Sequence, residues 1–169
     1  VDVHKNGKIH RMKFERGNIV EKMHIVGETD YTGTTVTFKP DPEMFDTTVY
    51  NYETIHTRMQ QQAFLNAGIY IKLRDERDAE NVREDVLNYE GGIKSFVSYL
   101  NEMKHCEVLH PNVIYMKAER EDYVAEVAFQ YNDTYNETLM TFANNMNTIE
   151  GGMHETGFKS GLTKVLNDY

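Results

Sequence analysis

A second cysteine, a long apolar run and an excess of basic charge are all missing from this 169-residue chain, and each absence excludes something. With Cys106 alone no intramolecular disulfide can form, so the fold rests on its core and a reducing, intracellular compartment is favoured. No stretch approaches the ~20 apolar residues of a membrane-spanning helix, and VDVHKNGKIH lacks the charged-then-apolar layout of a signal peptide. A cytoplasmic address with no membrane partner is the expectation. The formal net charge of -9 opposes bulk attraction to nucleic acid, because phosphate binding needs a positive surface that displaces counterions. Any DNA contact therefore has to be local.

Enough is present for a folded protein: 40% of the residues are hydrophobic and 27% charged, close to globular averages. The chain begins mid-pattern at Val1 without an initiator Met and stops at Tyr169 inside a helical pattern, so a fragment is the expectation.

Alternating residues around Asn6-Gly7 predict a β-hairpin. Short strands are expected at residues 24–26 and 34–38, and Pro40 and Pro42 mark a candidate domain boundary. From Tyr52 the period becomes helical through Ile55, Met59 and Ala63, with Gly68 as the stop. Ile69, Ile71 and Leu73 then alternate as a half-buried strand leading into RDERDAENVRED, a solvated hairpin tip or loop. A second amphipathic helix carries Ile93, Phe96, Val97 and Leu100. Strands are expected at residues 112–117, 124–131 and 139–144, and a last helix at Phe158, Leu162, Val165 and Tyr169. The plan is α+β.

Candidate chemistry is sparse. On a strand, Thr34, Val36 and Phe38 share a face, which suits a flat heterocycle: apolar side chains pack on the ring while a hydroxyl bonds an edge, for about 0.5–1.5 kcal/mol. His105, Cys106 and His110 fall short of a zinc ligand set. His154-Glu155 reads as a turn and cap rather than an acid/base pair, and Gly91-Gly92 lacks the rest of any phosphate-binding motif. Scattered cations such as Lys72, Arg74, Lys94 and Lys159 sit among acids and read as solvated surface.

The ordered blocks TGTTVTFKPDPEMF, AFLNAGIYIKLRDER, YEGGIKSFVSYLN, VAEVAFQYND and NTIEGGMHETGFKSGLTKVLNDY resemble, along nearly the whole chain, the DNA gyrase B family of bacterial type IIA topoisomerases. The resemblance implies an α+β chain in which the end of a GHKL-type ATPase sheet, residues 1–42, runs into an incomplete ribosomal-protein-S5-like transducer domain, residues 43–169. It implies an ATP-hydrolysing enzyme, using ATP and Mg2+, that introduces negative supercoils into double-stranded DNA together with gyrase A and a second copy of gyrase B.

By the same resemblance Thr34 matches a threonine that helps bind adenine through a water-linked network, and Val36 lines that pocket. Lys5 stands where the family commonly carries an arginine at the pocket mouth that also binds coumarin-type inhibitors. Lysine keeps the charge and loses the planar fork, which removes a basis for tight coumarin binding. Thr134 in QYNDTY departs from a frequent glycine, so that turn is expected to differ. The family's catalytic glutamate, its magnesium asparagine, its adenine-reading aspartate and its glycine-rich lid would precede Val1, and its Gln-Thr-Lys loop would follow Tyr169. No catalytic residue or metal ligand is therefore expected here, and the fragment alone is predicted inactive. The alternatives are the corresponding protein of topoisomerase IV, a decatenase, or a non-enzymatic S5-like nucleic-acid-binding module.

Overall fold

Asn6 and Gly7 start the fold by adopting left-handed φ values of 55° and 75°. Such a pair matches the twist of two strands joined by a two-residue loop. Accordingly β1 (Asp2–Lys5) and β2 (Lys8–Glu15) pair antiparallel, with Lys5 opposite Lys8. Arg11 lies opposite Asp2 and grips it bidentately at 2.7 Å through both Nε and Nη2. That guanidinium holds the Asp2 carboxyl below its ordinary range.

A second tight turn, Arg16-Gly17 with φ of 49° and 80°, leads into β3 (Asn18–Glu28). The sequence pattern predicts only residues 24–26 as strand there, because Arg is not a typical left-handed turn residue and conceals the hairpin. The short strand β4 (Gly33–Thr35) pairs with β1, giving the order β3-β2-β1-β4. It ends at Thr35, opposite Asp2, short of the expected residue 38. Val36 and Phe38 lie outside the ladder, and Phe38 instead meets Tyr50 edge-on at 6.3 Å.

The computed structural model describes residues 1–169 and divides into two compact units, Val1–Tyr50 and Asn51–Tyr169. In the second unit, α1 (Tyr52–Leu65) starts where the Asn51 side chain accepts from the Thr54 amide at 3.0 Å, an N-cap that satisfies one of the free donors of the first turn. After Asn66 the chain reverses through Gly68 at φ 83°. The hairpin of β5 (Ile71–Asp75) and β6 (Arg83–Leu87) carries the charged tip that the composition predicts. Along it Lys72 and Arg74 both pair with Glu84.

Next come α2 (Gly92–Met103) and the hairpin of β7 (Ile114–Arg120) and β8 (Tyr123–Phe129), turned by Glu121-Asp122. The strand expected at 139–144 is instead a small hairpin of β9 (Phe142–Ala143) and β10 (Met146–Asn147). Asn144 and Asn145 make its turn at φ 48° and 64°, a conformation asparagine tolerates better than most residues. Helix α3 (Met153–Asp168) closes the chain; Phe158 and Leu162 are half-buried on it, and Val165 and Tyr169 are exposed.

The core of this unit is aromatic. Phe64, 1% exposed, stacks on Tyr89 with ring centroids 3.7 Å apart and on Phe96 at 4.7 Å. Ala63 and Leu87 complete the buried set. Gly92, at φ 57°, lets α2 approach α1, since a methyl there would stand 3.2 Å from the Ala67 Cβ. This packing accounts for Gly92 without a phosphate.

Candidate functional site

In an antiparallel ladder, directly opposed residues point to the same face, and so do residues two apart on one strand. Val3 lies opposite Thr34 on one side and opposite His10 on the other, while Lys5 lies opposite Lys8. Thr34, Val3, Lys5, Lys8 and His10 therefore share one face of the first unit's sheet. Thr34 and Lys5 are exposed, and Val36, just past β4, is 62% exposed. The structure thus brings Thr34 and Lys5 to one face, with Val36 just past the end of β4.

Chemically this face offers a hydroxyl, aliphatic surface and, at the hairpin end, two ammonium groups. Directly opposed like charges repel, and an anionic ligand relieves that repulsion. On the β3 side Glu28 lies opposite Lys8, so a carboxylate stands on the same face beside the pair. The sequence patterning does not single out Lys8. It was legible there all the same, because a two-residue Asn-Gly turn pairs residues 5 and 8 directly.

The reverse face holds a cluster with no local sequence signal. His4 is buried, at 8% exposure, and stacks on Tyr31 with centroids 4.4 Å apart. Its Nδ1 lies 3.0 Å from the Thr29 Oγ1 and its Nε2 lies 3.2 Å from the Tyr31 hydroxyl. These partners are 25 and 27 residues distant in the chain, so only folding joins them.

A concavity of about 1170 Å³ in the first unit is lined by other residues. Phe14, Val20, Phe38, Met44 and Phe45 line it, and Arg16 bridges Asp41 at 2.5 Å and Glu43 at 2.7 Å at its edge. Thr34, Val36 and Lys5 are not among its lining residues.

In the second unit the histidines serve as fasteners. The Tyr131 amide donates to Nε2 of His110 at 3.0 Å, which leaves Nδ1 to carry the proton and donate to the Asn112 carbonyl at 2.8 Å. His154 Nε2 lies 3.0 Å from the Thr148 hydroxyl, itself 2.6 Å from that of Thr141. Glu155 turns instead to Lys159 at 3.0 Å. Thr134 caps its own turn through Asn132, its hydroxyl donating to Oδ1 at 2.7 Å. No group of three or more His, Cys, Asp or Glu side chains is arranged to hold a metal ion, and no helix is long and apolar enough to cross a membrane.

Comparison with known proteins gives one answer. The family model described as DNA gyrase B matches residues 92–169. DNA gyrase B of Staphylococcus aureus is 52% identical over 170 aligned positions that take in 100% of this chain, and that of Halalkalibacterium halodurans is 47% identical over the same share. The chain spans 26% of the length of each of these relatives. Among solved structures, the 43K ATPase domain of Thermus thermophilus gyrase B, crystallised with an aminocoumarin, superposes with a TM-score of 0.84 at 35% identity, covering 99% of this chain and 45% of that one. Gyrase B of Myxococcus xanthus superposes at 0.81 with 20% identity, covering 99% and 48%. This chain belongs to the DNA gyrase B family.

Proposed function

We propose that this chain is the part of a gyrase B protein in which one wall of the ATP site passes into the transducer. The whole protein, on this reading, is an ATP-hydrolysing type IIA topoisomerase that introduces negative supercoils by double-strand passage. Gyrase A, a second copy of gyrase B and double-stranded DNA are its partners. The observation that carries the reading is 52% identity to a gyrase B protein along the full length of the chain.

Residues 1–42 form the end of the GHKL-type ATPase domain and residues 43–169 the first part of the transducer. Thr34 presents its hydroxyl to a water-linked network at the adenine edge, Val36 packs against the ring, and Lys5 supplies charge at the pocket mouth. As a point charge without a planar fork, Lys5 holds a coumarin less well than arginine does. On the same reading Mg2+ is held by residues elsewhere in the protein. The chain's contribution is therefore to bind and to relay, the relay requiring an element whose position differs between nucleotide states.

The test uses the full-length protein with gyrase A and relaxed plasmid. ATP-dependent negative supercoiling is the expected result. Decatenation without supercoiling would identify a topoisomerase IV protein instead, and neither activity would overturn the reading. Thr34→Ala is expected to raise the KM for ATP several-fold, the loss of one net hydrogen bond of about 1 kcal/mol, with kcat little changed.

A further inference from the structure

The cluster on the reverse face of the first sheet stands directly behind the proposed adenine wall and is joined to both of its ends. The Tyr31 ring covers the opposed pair His4 and Gly33: it stacks on the imidazole at 4.4 Å, and a methyl built on Gly33 would lie 3.5 Å from the ring. Gly33 immediately precedes Thr34. At the other end, the Thr29 amide donates to the Gly7 carbonyl at 3.1 Å, inside the turn that follows Lys5.

One tautomer satisfies every polar atom of the cluster. The Tyr31 hydroxyl donates to Nε2 of His4, Nδ1 donates to the Thr29 hydroxyl at 3.0 Å, and that hydroxyl donates to the Tyr31 carbonyl at 3.3 Å. The Tyr31 amide returns to Thr29 Oγ1 at 3.4 Å. Residues 29–33 are thus held as a closed loop against β1.

Thr34 lies on β4, whose ladder partner within this chain is β1. Three paired positions, Asp2, Val3 and His4 with Thr35, Thr34 and Gly33, are all that register β4. The contacts that fix residues 29–33 therefore help to fix the adjoining Thr34 hydroxyl.

From this geometry we infer that His4, Tyr31 and Thr29 are positioning residues for nucleotide binding: they hold β4 in place from behind, so that Thr34 and Lys5 meet the nucleotide pre-organised. The inference rests on the adenine-wall reading of Thr34. Neither His4 nor Tyr31 touches the nucleotide in this scheme, and their effect travels through the loop and Gly33.

Tyr31→Phe keeps the ring over Gly33 and removes the one bond to Nε2, whereas Tyr31→Ala removes both. His4→Phe keeps an aromatic stack and removes both ring nitrogens. In the full-length protein, with gyrase A and DNA present, Tyr31→Phe and His4→Phe are expected to raise the KM for ATP roughly three- to tenfold with kcat unchanged. Tyr31→Ala should exceed Tyr31→Phe. Combining Tyr31→Phe with Thr34→Ala should give less than the product of the two single effects, because both act through the same hydroxyl.

Thermal unfolding of each variant supplies the structural comparison. A lowered melting temperature with unchanged KM, or fully multiplicative effects in the double variant, overturns the positioning role. If His4→Phe fails to fold, Tyr31→Phe decides the matter, since its exposed ring stays in place. If Thr34→Ala leaves the KM unchanged, the adenine-wall reading falls and this inference with it; if only Thr34→Ala raises the KM, the reading stands and the inference alone fails.

Discussion

Phe64 and Asp75 show the two ways a single residue matters here. Phe64 is the hub of the aromatic core, in ring contact with Tyr89, Phe96 and Tyr99. Phe64→Ala removes those contacts and leaves a cavity, so urea unfolding of the chain should show a loss of about 3–5 kcal/mol. A loss below about 1 kcal/mol would mean that the core collapses to fill the space. Asp75 illustrates electrostatics at a hairpin tip, where hydrogen bonds from the Arg77 side chain and amide bring its pKa down to about 2 from the ordinary 3.8. Because the folded value is the lower one, the stabilising contribution is present above pH 3.8 and is lost as pH falls through about 2. An NMR titration of the Asp75 carboxyl should show this midpoint, and Arg77→Ala should return it towards 3.8. A midpoint unmoved by that substitution would refute the cause.

Among the elements, the segment between α2 and β7 is held by side chains rather than by a ladder. His110 receives the Tyr131 amide, Gln130 donates to the His110 carbonyl at 2.8 Å, and Asn101 links Gln130 and Asn132 at 3.0 Å each. Only the isolated bridge between Val108 and Asn132 adds strand-like pairing. His110→Ala should therefore speed amide exchange at Tyr131 and Leu109 while α1 and α2 remain protected. Uniform acceleration across the unit would show that the histidine supports the core instead. Elements were legible in the sequence where one residue type carried the signal: Asn6-Gly7 announced its hairpin, and Gly68 the turn after α1, although Asn66 rather than Gly68 caps that helix. They were illegible where the backbone took an unusual conformation without the usual residue, as at Arg16-Gly17; for β4 the strand was legible but not its pairing with β1, whose residues lie about 30 positions away. The helical stripe through Ile55, Met59 and Ala63 passed over Phe64, the most important residue of the core, because three distant rings converge on it.

For the whole molecule, the chain holds two compact units and about a quarter of the length of its curated relatives, with 26% of each covered. On the proposed reading it carries a wall of a nucleotide site and a relay, and no reacting group. The isolated 169-residue chain should accordingly show no ATP turnover and no micromolar ATP binding by calorimetry. Its net charge of -9 also predicts no salt-sensitive binding to duplex DNA in a fluorescence anisotropy titration. Turnover by the chain alone, or tight salt-dependent DNA binding, would contradict the assignment of those tasks to other parts of the protein.

Composition, turn residues and periodicity by themselves determined the α+β plan, the hairpin at Lys5 and Lys8 and the three helices, while the ordered blocks carried the resemblance to the family. Those features depend on neighbours within a few residues, or on the ordered blocks as written. Which residues stand behind Thr34 was decided only by the tertiary structure, as was the convergence of rings on Phe64. In both cases the partners are some 25 or more residues apart, and contacts of that span have no periodic trace in a linear chain.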